Sequence, residues 1–254
     1  MTLFVGKLLR VLLVAGVFAL AISALFNGRN TGITFALEDG IDLTIGSSAF
    51  YNGVPVPSST WELKDLVPGV DKFFDLAGIL PGDFGRAAIS AHIEGRETAW
   101  MCLDFLSTPT GPLADGTHFF AWHDDGDGVF QLGESLLFDV SPASVALSGK
   151  TYPIADSTTG SVVEIGETRH VGIEWCAGAL AFDGAAFSCN GATLGNEAQG
   201  DSFSVDIALR AVGSRDRGAF TCAEGFADPR GERGERDERD EREVREARPA
   251  RPAR

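Results

Sequence analysis

Residues 123–134 read His-Asp-Asp-Gly-Asp-Gly-Val-Phe-Gln-Leu-Gly-Glu, a spacing that can be laid over a twelve-position loop for a hard divalent cation. Asp125 and Asp127 take positions three and five, Gly128 the sharp-turn sixth, and Val129 offers its carbonyl at seven. Gln131 falls at nine and Glu134 at twelve, where a bidentate carboxylate closes such a loop. The chemistry this predicts is oxygen coordination of Ca2+. His123 departs from the pattern at position one, because imidazole is a poor ligand for a cation that selects oxygen, and Asp124 replaces it only by a shift of register. The flanks read as strands rather than helices, so an Asp/Gly-rich hairpin turn would use the same residues for backbone reasons alone.

Catalytic constellations are missing from the sequence. The four histidines, His92, His118, His123 and His170, fall singly, with no HExxH or comparable spacing for a zinc protease. There is no GxSxG elbow, no P-loop and no GxGxxG opening a helix, so nucleophilic and nucleotide chemistry lack an anchor. The expectation is a protein that is not an enzyme.

Four cysteines, Cys102, Cys176, Cys189 and Cys222, form no CxxC pair and read as two disulfides. Three connectivities are open; the close spacing of Cys176 and Cys189 favours a local loop, with Cys102 to Cys222 as the long staple. Disulfides require an oxidising compartment, and the N-terminus supplies a route to one. Lys7 and Arg10 precede an apolar and small-residue run from Val11 to Phe26, the pattern of a secretory leader. The run is short for a membrane span, so cleavage is expected near Ala21 to Ala24, leaving residues 1–24 as a signal peptide and the membrane as a partner through that leader only. The localisation expected is secreted, at the extracellular cell surface.

The elements that would carry these residues are strands. Ile33 to Leu37 and Ile41 to Ile45 alternate with period two, and further strand-like runs lie at 72–76, 87–93, 100–105, 118–122, 135–140, 170–175 and 202–211. Gly, Pro, Asn and Asp clusters separate them. Helical signals are confined to short turns at 60–65, capped by Ser58 or Ser59, and near 196–199. Many short strands and a hydrophobic fraction of 44%, enough for a buried core, predict an all-β, jelly-roll-like antiparallel β-sandwich over residues 31–225, with few short helical turns. Trp100, Trp122 and Trp175 each lie beside a strand and are expected in its core rather than on an exposed sugar platform.

Formal charge is −15, and the folded body is more acidic still, which argues against nucleic acid as a partner. From Arg230 to Arg254 an arginine recurs at every third position, a period that fits neither helix nor strand. With no apolar stripe to bury, residues 226–254 read as a solvated, disordered tail. Contact with polyanionic surface polymers is one use for it and a neutral spacer another.

Several segments together carry a resemblance. They are Leu80-Pro81-Gly82-Asp83 running into Ala88 to Ile93 and Ala99-Trp100-Met101-Cys102; Trp122 with the Asp/Gly loop; and Trp175-Cys176 with Cys189. Gly195 to Ser202 and the terminal Phe220-Thr221-Cys222 complete the set. In these, from the leader to about Cys222, the chain resembles the TasA/camelysin family of exported proteins. The Arg-rich tail and the residues after the leader depart from that pattern. The resemblance implies a β-sandwich that polymerises into fibres of a biofilm matrix or pilus-like filaments, an N-terminal strand freed by leader removal being donated to the next subunit. The metallopeptidase activity ascribed to camelysin-like members finds no ligand cluster here and ranks last among the readings.

Strand addition is the physical mechanism: an extended segment satisfies the open edge of a neighbouring sheet and inserts alternate apolar side chains. Residues 25–37 are the candidate donor, with Ile33, Phe35 and Leu37 supplying the alternation. The chain is thus expected to self-associate into filaments and to meet matrix polymers or the cell surface. Pairing of the same strand within its own domain is the alternative for that segment. A monomeric, Ca2+-binding surface adhesin is the alternative for the whole.

Overall fold

The computed structural model describes residues 33–36, 40–67, 70–71, 73, 78–198, 201–203, 205–215 and 218–222; the expected leader and the Arg-rich tail lie outside them. Two sheets pack face to face. The larger contains β2 (Ile41–Tyr51), β3 (Val54–Pro55), β4 (Trp61–Lys64), β5 (Phe84–Gly95), β7 (Thr117–Asp124), β8 (Leu136–Pro142) and β10 (Thr168–Ala177). Its order is β3-β2-β5-β10-β7-β8, with β4 also on β2, and every pairing is antiparallel. The smaller contains β1 (Ile33–Ala36), β6 (Ala99–Phe105), β9 (Thr151–Ala155) and β13 (Ile207–Gly213), in the order β1-β13-β6-β9. The chain changes sheet from β1 to β2, β5 to β6, β6 to β7, β8 to β9, β9 to β10 and β10 to β13, giving the expected all-β sandwich.

Period-two alternation places the core. Ile41, Leu43 and Ile45 of β2, Ala87, Ile89, Ala91 and Ile93 of β5, and Val171, Ile173 and Trp175 of β10 are buried together against Met101, Leu103, Ile207 and Leu209 of the smaller sheet. A strand one residue out of register would turn that whole set to solvent, so the alternation fixes the pairing. The three tryptophans are buried as expected, with Trp100 at 8%, Trp122 at 0% and Trp175 at 2% exposure.

One element differs from expectation. Residues 60–65 do not form a helical turn: a 3-10 turn spans Pro57–Ser59 and the chain then enters β4 on the edge of β2. The Trp61 indole N–H donates to the Ile45 carbonyl at 3.2 Å, and Thr60 Oγ1 accepts from the Ala49 N–H. Six residues hold too few internal hydrogen bonds to compete with an open sheet edge that offers them. Of the strand expected at 72–76 only Phe73 lies within the described residues, at a bend. The 3-10 turn Asn196–Ala198 is where a short turn was expected.

Both disulfides form with the connectivity that spacing favours. Cys102–Cys222 closes a separation of 120 residues and Cys176–Cys189 one of 13, and no cysteine is left free. Such bridges belong to an oxidising compartment. The first ties the C-terminal end of the fold to β6, where Trp100, Cys102, Val212, Phe220 and Cys222 form a separate cluster on the outer face of the smaller sheet. Asp156 reinforces it by accepting from the Cys222 N–H at 3.0 Å. Burial pushes the Asp156 carboxyl up, but hydrogen bonds from Thr158, Cys222 and Thr159 outweigh it and hold the group below its usual range. On the same face Asp104 pairs with Arg210 through both its oxygens and accepts from Thr151 Oγ1 at 2.6 Å. Among the described residues no helix is long and apolar enough to cross a membrane.

Candidate metal loop and the face around it

The loop joining β7 to β8 grows out of the outer face of the larger sheet. Trp122 and Asp124, two apart on β7, both point outward, and the Trp122 indole N–H donates to Asp124 Oδ1 at 3.1 Å. Asp124 then gathers the loop, accepting from the Gly126 N–H at 2.9 Å and from the Gly128 N–H with both oxygens at 3.0 and 3.1 Å. Asp125 Oδ1 accepts from the Asp127 N–H, and Asp127 Oδ1 from the Val129 N–H. Side chains of Asn and Asp commonly stabilise turns in this way.

Glu134 closes the loop on protein rather than standing apart: Oε1 accepts from the Asp125 N–H at 3.0 Å and Oε2 from the Gln131 N–H at 2.7 Å. Gln131 donates its side-chain amide to Asp127 Oδ2 at 2.6 Å. Of the five residues singled out by spacing, Asp125 and Asp127 converge. They do so with Asp124, the three offering ligand oxygens within 4.8 Å of one another. Val129, Gln131 and Glu134 belong to the loop's own hydrogen-bonded frame. His123 lies on the opposite side of the strand, in a shallow recess with Arg169 and Leu136. Burial, and secondarily Arg169, lowers its pKa. The three aspartates thus bring carboxylate oxygens together at the loop, and like Gln131 and Glu134 they also take part in its internal hydrogen bonds.

The aromatic residues beneath this loop were not singled out for it. Phe120 and Trp122 on β7 meet Phe130 of the loop and Phe187 of the hairpin β11 (Ala179–Phe182) and β12 (Phe187–Asn190), and Phe182 packs on Phe130 and Phe187, with ring centroids 4.9 to 6.3 Å apart. This is a second, smaller core outside the sandwich, and Cys176–Cys189 pins the hairpin over it. Trp122 fits because β10 carries glycine opposite: a Cβ on Gly172 would stand 2.1 Å from Trp122 Cε2 and Cζ2. The signal was present as the Phe119-Phe120-Ala121-Trp122 run, which buries both faces of β7 where simple alternation allows one.

Beyond the aromatic cap the same face is open. Gly46, Ser48, Ala88 and Ser90 leave a trough of about 580 Å3 between β4 and the aspartate loop. His170 stands in it with Nδ1 2.9 Å from Ser90 Oγ, and the Arg86 guanidinium lies 5.0 Å from the centre of the Phe50 ring. Next to Arg86, Glu174 has its carboxyl pushed up to about 7 by burial, with Arg86 opposing that rise.

The Pro81-Gly82-Asp83 segment is the expected turn, with Gly82 at φ +91°. Asp83 accepts from the Leu80 N–H at 2.7 Å and from Asn52 Nδ2 at 2.8 Å, and bonds the Tyr51 hydroxyl, so it ties the start of β5 to the end of β2. Burial and then Asp83 push the Tyr51 phenol up to about 12. Ile33 and Phe35, singled out as donor residues, lie in β1, which pairs parallel with β13 of the same chain in the register Ile33↔Ala208 to Ala36↔Ala211, the alternative stated for that segment. Leu37 lies outside the described residues.

No family model matches the chain, and no curated protein matches it. The likeness to the TasA/camelysin family rests on its sequence segments alone.

Proposed function

We propose that this chain is an exported, non-enzymatic structural subunit that assembles into extracellular fibres of a biofilm matrix or pilus-like kind by exchanging β1 between copies. The observation that carries the reading is the position of β1: the first described strand, four residues long, parallel to β13 and covering an edge whose seven residues are all buried. Other sheet edges are blunted by Pro55 in β3, Pro153 in β9 and register irregularities in β8. β1 has neither device. Residues 37–40 join it to β2 in the sequence, and exchange would pair the β1 of one copy with the β13 of the next. Each copy gives one strand and receives one, which propagates head to tail. Electron microscopy of leader-free protein is expected to show filaments that vanish when residues 25–36 are deleted. Filaments surviving that deletion, or a monomer at every concentration, would overturn the reading.

A second reading is favoured by the convergence of Asp124, Asp125 and Asp127: a monomeric surface adhesin steadied by Ca2+. Calorimetric titration with Ca2+ separates the two, since the adhesin requires binding that is lost in D125N/D127N together with a concentration-independent monomer.

A further inference from the structure

Glu174 lies on the outer face of β10, directly between Arg86 of β5 and Phe120 of β7. Among the described residues its carboxylate accepts no hydrogen bond and forms no close ion pair, and Arg86 is the one charged group that acts on it. Arg86 itself rests on the Phe50 ring. From the hairpin side the neighbours are neutral: Leu180, Phe187, Ser188 and the disulfide-bonded Cys189. With Phe84, which is 40% exposed, they enclose a cavity of about 180 Å3 that Glu174 lines.

A lone carboxylate with aromatic walls selects its ligand by chemistry. A divalent cation needs about six or more oxygen ligands, and this cavity offers a single carboxylate. A guanidinium needs less: two parallel N–H bonds to a carboxylate and a ring to lie against. Phe84 and Phe187 supply the rings, and the Ser188 hydroxyl is a further acceptor. Among the described residues Arg169 pairs with Glu167 and Arg210 with Asp104.

The chain itself holds the complementary group in excess, nine arginines at every third position over residues 230–254. The fold's last described residue, Cys222, is fixed to β6, and the 32 residues that follow can extend roughly 100 Å, enough to pass around a domain of this size. Tethering gives such a segment an effective concentration on the order of millimolar at its own domain, so the intramolecular contact prevails in dilute solution. We infer that the Glu174 cavity is a guanidinium-binding site and that its occupant is an arginine of residues 230–254 of the same chain. This inference stands apart from strand exchange, because it places a C-terminal side chain on the larger sheet and makes no use of β1.

The test is a carbon-detected NMR titration of the Glu174 carboxyl, assigned with E174Q, in the full leader-free chain and in a chain with the nine tail arginines changed to Gln. The native chain is expected to titrate at or below 4.5, the group's ordinary value, and the Gln-tail chain near 7, to which burial, opposed by Arg86, raises it. Identical titrations, or a change produced by R86Q and not by the Gln tail, would overturn the inference. An independent measurement adds the peptide acetyl-Arg-Pro-Ala-Arg-amide to the Gln-tail chain and follows the Phe187 ring signals. E174Q is expected to weaken binding about tenfold to hundredfold, the range for a charge-assisted pair. Equal binding by E174Q, or by the Lys analogue of the peptide, would likewise overturn it.

Discussion

Gly172→Ala tests the claim that a second core sits outside the sandwich. The added methyl would meet Trp122 Cε2 and Cζ2 at 2.1 Å and Cη2 at 2.6 Å, against ordinary contacts of 3.4–4 Å, so the ring must move by more than an ångström. It has nowhere to go: Trp122 is 0% exposed and is hemmed in by Phe120, Phe130 and Phe187. Overpacking of this kind costs about 1–3 kcal/mol. If the ring tilts, the indole N–H also leaves Asp124, and a buried donor without a partner costs about 1–3 kcal/mol more. A total near 3 kcal/mol corresponds to roughly 6–12 °C in Tm for a domain of 150–250 residues. Urea unfolding followed by tryptophan fluorescence, with calorimetry, measures both. In a W122L background the same substitution should cost far less, giving a coupling above about 1.5 kcal/mol. A change below about 0.5 kcal/mol in the wild-type background, or strict additivity in the cycle, would show that Trp122 does not lie on β10.

Asp104→Ala strips Arg210 of its buried carboxylate and is expected to destabilise the domain by about 3–5 kcal/mol, with D104A/R210M recovering much of that; equal losses in the two would refute the pair's role. Replacing Cys102 and Cys222 by Ser should cost about 4–5 kcal/mol and replacing Cys176 and Cys189 about 3, from the lengths of the loops they close; thermal melts showing the opposite order would contradict the chain-entropy account. For Glu174 in the Gln-tail chain the folded pKa lies above the unfolded one. The group's stabilising effect is therefore complete below pH 4.5 and is lost as pH rises towards about 7; E174Q should flatten that slope in denaturant titrations, and an unchanged slope would exclude Glu174 as its source.

The sheets were legible where one face is buried and the other wet. Phe84–Gly95 shows this best, since its buried and half-exposed residues alternate along most of its length. Alternation failed where both faces are covered: β6 and β13 are buried at every position, and only the charged Asp104 and Arg210 mark the side of the C-terminal cluster. Residues 60–65 misled because a Ser-rich lead into Trp-Glu-Leu-Lys satisfies local helix rules while β2 supplies a stronger, non-local partner. The loop 123–134 was legible as an acidic turn, yet the role of each carboxylate was not. Asp124 is central because it lies on the outward side of β7 beside Trp122, a fact of register rather than of spacing in the loop. The Glu174 cavity had no sequence signal at all, since its walls come from three separate parts of the chain.

The bond between Cys102 and Cys222 also decides how the molecule bears a pull. Tension on the C-terminal segment enters through sulfur into β6, which is flanked by β13 on one side and β9 on the other. The terminal strand cannot be unzipped one hydrogen bond at a time from that end; the ladders on both sides of β6 must shear together. A tether anchored at this end would therefore load β6 through the bridge and share the force between its two ladders.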